Sequence, residues 1–146
     1  MAKKTGLTLI ELLLALAAIT LLGAFSVPYF MTFQVSSLSD TAGQEIVSSL
    51  RRAKIKAIAA ENDDNWGLAV KDQKITLFKG SGYTSRDANF DETFSLPPAI
   101  TASGMTEVYF LKLFGNPSAS GTISLVDTNN KQKNITINAN GTVDYQ

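Results

Sequence analysis

Cysteine and histidine are both missing from the chain. Without cysteine no disulfide can staple an exported domain, so hydrophobic packing must hold it; without histidine the commonest metal ligand and general base are gone. A catalytic site would have to use carboxylates, lysine, serine or tyrosine, and no nucleophile and base can be paired from the sequence. An excess of one charge is missing too: thirteen basic and thirteen acidic residues cancel, which gives no reason to expect a polyanionic partner. Neither an enzyme, nor a metal, nor a cofactor is expected.

What the chain does have is an apolar run from Leu7 to Phe33 that contains one acid, Glu11. The other polar side chains there are Thr8, Thr20, Ser26 and Thr32, which can return their hydroxyls to the helix backbone. As a helix the run is roughly 40 Å long, against a hydrocarbon core of about 30 Å, so a membrane span is expected. Lys3 and Lys4 precede it and no basic residue follows until Arg51, which puts the N-terminus in the cytoplasm and everything after about Phe33 outside. Ordinary secretion fits less well, because the candidate cleavage sites Leu22-Gly23-Ala24 and Ala24-Phe25-Ser26 are imperfect and the apolar run continues past them.

A carboxylate near the end of a spanning helix costs about 2–3 kcal/mol and needs a partner. A cut between Gly6 and Leu7 would supply one, since the new α-amine of Leu7 lies one helical turn from Glu11. The pattern Lys-Lys-Thr-Gly, then Leu-Thr-Leu-Ile-Glu-Leu-Leu, then a long apolar helix resembles the class III signal of type IV pilins and type II secretion pseudopilins.

That resemblance implies leader cleavage after Gly6 by a membrane prepilin peptidase, N-methylation of Leu7, and Glu11 as the residue that sets assembly register. Phenylalanine is the usual first residue after the cut, and Leu7 stands in its place. Lys3 and Lys4 orient the leader, and Pro28 sits where pilins often carry a helix-loosening proline. Many pilins also close a C-terminal loop with a disulfide, a device this chain lacks.

Beyond the run the helix is expected to continue, with a bend or a locally melted turn around Gly23 to Pro28. Leu38, Ala42, Ile46, Leu50, Ala53 and Ala57 recur at threes and fours, with Val47 and Ile58 alongside: one face of an amphipathic helix that must pack on something. The cations Arg51, Arg52, Lys54 and Lys56 suit the C-terminal end of such a helix better than a phosphate-binding role. The pattern stops at Asn62-Asp63-Asp64-Asn65.

From Trp66 the texture turns to short β-type runs. A hairpin is expected from Trp66–Val70 and Lys74–Phe78, and a loop over Tyr83–Asp91. Strands follow at Thr93–Leu96, Ile100–Ala102 and Glu107–Phe114, then at Thr122–Val126, Asn134–Asn138 and Thr142–Tyr145. In the last three the apolar residues alternate, giving one buried and one wet face.

A long helix followed by antiparallel strands argues an α+β fold, with the strands packed on the helix's outer half. The segments Phe114-Gly115, Gly121-Thr122-Ile123, Ile135-Thr136-Ile137 and Gly141-Thr142-Val143 resemble the H-type minor pseudopilins and their FimT-like relatives. Some FimT-like pilins are associated with DNA binding through C-terminal cations. The tail Asn140 to Gln146 has none, so nucleic acid is not expected as a partner.

Three further patterns are set aside. Asn62 to Asn65 has the oxygens of a calcium loop but also the composition of a helix-ending turn. Asp87, Asp91 and Glu92 read as a solvated loop. The sequons at Asn134 and Asn140 fall where strand and hairpin residues are expected anyway.

The expected organisation is a leader (1–6), a membrane and polymerisation half of the helix (7–33), an amphipathic half (34–61) and a β-rich pilin-like domain (62–146). The expected function is that of a minor pseudopilin or minor pilin, membrane-held and then assembled into a periplasmic or extracellular filament. Its partners would be prepilin peptidase and N-methyltransferase, membrane lipid, other pilin or pseudopilin subunits and the assembly machinery. The alternatives are a major pilin, or a monomeric tethered binding domain whose leader is an uncleaved signal anchor.

Overall fold

The computed structural model describes Gly6, Thr8 and every residue from there to Gln146, excepting the side chains of residues 25–32. The chain divides into two compact units, Met1–Gln34 and Val35–Gln146. The fold is α+β. Helix α1 spans Leu9–Ile58, and eight strands follow in antiparallel pairs.

In the first unit α1 is apolar on every side, and its leucines are exposed all round from Leu9 to Leu22. The backbone stays helical through Pro28. Among the described residues no helix is long and apolar enough to cross a membrane. The described side chains of the expected span break off at Ala24 and resume at Phe33.

In the second unit α1 buries most of the expected face: Ala42, Ile46, Val47, Leu50, Ala53 and Ala57 enter the core, while Leu38 and Ile58 stay exposed at its two ends. The helix gives way where Ala60, Asn62 and Asp63 adopt left-handed φ values of 50–57°, a conformation that the short polar side chains of Asn62 and Asp63 tolerate. The Asn62 to Asn65 cluster is therefore a helix terminus, folded around a 3-10 turn at Glu61–Asp63.

The strands are β1 Trp66–Lys71, β2 Lys74–Lys79, β3 Asp87–Ser95, β4 Ile100–Gly104, β5 Glu107–Phe110, β6 Gly121–Asp127, β7 Gln132–Ile137 and β8 Val143–Tyr145. They form two four-stranded antiparallel sheets, in the orders β3-β2-β1-β5 and β4-β6-β7-β8. The second sheet alternates as the sequence suggests: Ile123, Leu125, Ile135, Ile137 and Val143 face the core. In the first sheet β1 and β2 are buried on both faces, so Phe78, Ala69 and Thr76 are covered as well as Leu68 and Leu77.

Two boundaries differ from expectation. Asp87, Asp91 and Glu92 lie in β3, which pairs with β2 from Lys74↔Ser95 to Leu77↔Glu92 and, past a register shift, at Lys79↔Asp87. β3 is an edge strand with mostly exposed or half-buried side chains, so it carries charges where an inner strand would alternate. β5 ends at Phe110, because Leu113 and Gly115 take φ values of 68° and 67° and turn the chain. The Gly115 N–H closes that turn on the Leu111 carbonyl at 2.8 Å.

Candidate functional site

At the start of α1, Gly6 is exposed with open space around its Cα, outside the helix. Thr8 caps the helix: its Oγ1 accepts the Glu11 N–H at 3.3 Å and its carbonyl accepts the Leu12 N–H at 3.2 Å. The spacing Thr8-x-x-Glu11 is the signal that identifies such a cap in sequence. Glu11 itself is exposed among exposed leucines and isoleucines, Leu14 at 69%. Lys3, Lys4 and Leu7 lie outside the described residues, as does the side chain of Pro28.

A helix that is apolar all round belongs in lipid or in a bundle of other helices. With Glu11 as its lone charge between Leu9 and Gln34, it combines a large apolar surface with one carboxylate of fixed position.

Three of the four cations near the end of α1 are committed within the fold. Arg52 pairs with Glu92, and Lys56 with Glu61 and Glu92, its Nζ also lying 4.3 Å from the centre of the Trp66 ring. Lys54 donates to the Asn140 and Gly141 carbonyls at 2.9 and 3.1 Å. Three of the four are thus tied up as fold contacts, and Arg51 alone of them is exposed with no hydrogen bond or ion pair among the described residues.

Asp63 and Asn65 of the supposed calcium loop are engaged within the fold. Asp63 pairs with Lys112 at 2.9 Å, which holds its carboxyl below the usual value, and Asn65 bonds Ser81 and the Lys112 N–H. Among the described residues no group of three His, Cys, Asp or Glu is placed to hold a metal ion.

One cluster was not legible in the sequence. Tyr145 of β8 reaches α1 where Gly43 leaves room for its ring; a Cβ there would lie 2.6 Å from it. Its hydroxyl donates to Asp40 at 3.2 Å, and Lys133 of β7 pairs with Asp40 at 2.9 Å. The cluster fastens the C-terminal strand to the helix.

The Lys133 ammonium, with help from the Tyr145 hydroxyl and against some desolvation, lowers the Asp40 carboxyl from its ordinary 3.8. Asp40 in turn raises Lys133. Burial, then Asp40, raises Tyr145. A lowered carboxyl stabilises the fold above its unfolded value, and that contribution is lost as pH falls through the folded value. Asp40→Asn should therefore cost about 0.5–1 kcal/mol at pH 7, given the half-exposed pair. Denaturation midpoints of variant and wild type should converge as pH drops below 3.8.

No family model matches the sequence, and no curated protein matches it. The fold does have counterparts: two solved structures of the minor pseudopilin EpsH from the type II secretion system of Vibrio cholerae superpose with TM-scores of 0.57 and 0.59 at 12% identity. The matches cover 74% and 76% of this chain and 95% and 94% of those chains. The likeness at that identity is one of fold.

Proposed function

We propose that this chain is a structural subunit of a type II secretion or type IV pilus-like filament, a minor pseudopilin or minor pilin without catalytic activity. The observation that carries this reading is the pairing of two features in one chain. One is an all-round apolar helical start bearing a lone carboxylate, just after Gly6; the other is a domain with the fold of a minor pseudopilin.

In this reading a prepilin peptidase removes residues 1–6 while Lys3 and Lys4 hold the leader on the cytoplasmic side, and Leu7 is then methylated. The helix anchors the subunit in the inner membrane with its β-rich domain outside. On assembly the same apolar surface leaves lipid for the filament, where other subunits' helices cover it. Pro28 supplies a bend, and Glu11 sets register by accepting the α-amine of Leu7 on a neighbour.

The test is incorporation. The full chain, produced with the prepilin peptidase and assembly machinery, should appear in sheared filament fractions at a small share of the subunits. Its absence from filaments that form normally would overturn the proposal, and an abundant homopolymer would make it a major pilin.

A further inference from the structure

The two edges of the first sheet are treated unequally. β5 is covered by its own chain: the Ser118 N–H donates to the Tyr109 carbonyl at 2.7 Å and the Leu111 N–H to the Asn116 carbonyl at 2.9 Å. β3, the longest strand of the fold, has no such cover among the described residues.

The Leu96 N–H donates to the Gln73 carbonyl at 2.8 Å, in line with the pairing of Ser95 with Lys74 and Phe94 with Ile75. Backbone groups of an antiparallel strand turn alternately to its two sides, so Phe94 bonds towards β2 while the N–H and C=O of Thr93 and Ser95 face outward. Side chains alternate as well. Glu92 pairs with Arg52 and Lys56, and Phe94 packs on the core, so this free edge runs alongside α1.

Between the edge and the helix lies a hollow of about 430 Å³, walled by Leu38, Ala42 and Glu45 of α1, Phe94 and Ser95 of β3, and Pro97. Glu45 is half-buried, accepts the Ser49 hydroxyl at 3.1 Å and meets no cation among the described residues. The hollow is therefore apolar with one uncompensated carboxylate.

We infer that an extended segment of a different protein adds to the sheet along β3, seats an apolar side chain in the hollow and brings a lysine or arginine, two residues along, to Glu45. Backbone pairing supplies the affinity, and the hollow with its carboxylate selects the sequence. A second copy of this chain is a poor occupant through its own β3. That strand carries Asp87, Asp91 and Glu92 and no base, and like charges across a strand pair repel. The filament reading supplies only the partner's class, a non-identical subunit; the edge and the hollow do not depend on it.

The probe is a short synthetic peptide of alternating threonine and valine with one valine replaced by lysine, and its counterpart carries glutamate there. Binding to the full chain in lipid nanodiscs is followed by fluorescence anisotropy. The lysine peptide should bind about fivefold more tightly, the worth of one exposed ion pair, and Glu45→Lys should reverse the order. Thr93→Pro removes an N–H that bonds nothing within the fold, so both peptides should lose binding while thermal melting stays that of wild type.

Equal binding of the two peptides, no reversal in Glu45→Lys, or binding retained by a folded Thr93→Pro would overturn the inference. If Thr93→Pro fails to fold, the Glu45→Lys reversal decides. In filaments, Ser95→Cys carrying a maleimide photocrosslinker should label an extended segment of a different subunit, and Thr93→Cys should label it two residues away; the chain has no other cysteine. Labelling of its own copies alone, or no labelling in filaments that contain the chain, would overturn it too. Absence of the chain from filaments that form normally would remove the filament reading, and the peptide result would still decide the edge.

Discussion

Trp66→Ala is expected to destabilise the Val35–Gln146 unit by about 3–5 kcal/mol, the usual cost of emptying a buried tryptophan site. Trp66 opens β1 at 1% exposure. Its Nε1–H donates to the Glu61 carbonyl at 2.9 Å, Lys56 lies over its ring, and Phe90 meets it edge-on with 6.2 Å between ring centres. The ring joins the helix terminus to both β1 and the edge strand β3.

Domains of this size are stable by only about 5–15 kcal/mol, so the loss is a large share of the total. Trp66→Phe, which keeps the apolar bulk and gives up the N–H, should lose only part of it. Denaturant titration of the full chain in detergent, followed by far-ultraviolet circular dichroism, measures all three proteins. An Ala variant within about 1 kcal/mol of wild type would contradict this packing account.

Glu11→Ala is expected to leave leader cleavage intact and to reduce filament incorporation by at least tenfold. The cap at Thr8 survives, because what Thr8 accepts is the backbone N–H of residue 11, which alanine also has. What is lost is the carboxylate. Removing one partner of a buried ion pair typically costs about 3–5 kcal/mol, since the other charge is left in an apolar core unpaired. Comparing processed chain in membranes with chain in sheared filaments separates the two steps. Normal incorporation of processed Glu11→Ala would show that Glu11 is only a helix-start residue.

The outer half of α1 was legible in the sequence because Ala42, Ile46, Leu50, Ala53 and Ala57 repeat at the helical period and meet a core on that one face. The strands β6 to β8 were legible for the matching reason, alternation over a half-buried sheet. β3 was not, because an edge strand has no second neighbour to demand apolar residues, and its DANFDET sequence looks like a loop. The true end of β5 was hidden by apolar Leu111, Leu113 and Phe114, which sit in an exposed turn.

The division into two sheets depends on which distant strands pair, β1 with β5 and β4 with β6, and no local pattern encodes that. The same holds for Asp40, Lys133 and Tyr145, which come together from α1, β7 and β8. At the candidate site, Gly6 and Glu11 could be singled out as a motif, and the cap at Thr8 had a readable spacing.

The filament role depends first on cleavage between Gly6 and Leu7. The decisive measurement is the intact mass and N-terminal residue of the membrane-extracted chain, made with and without an active prepilin peptidase. An N-terminus at Leu7 that depends on the peptidase, with or without one methyl group, is the predicted result. A chain that keeps its Met1 to Gly6 leader in both preparations would contradict it and make the protein a tethered domain.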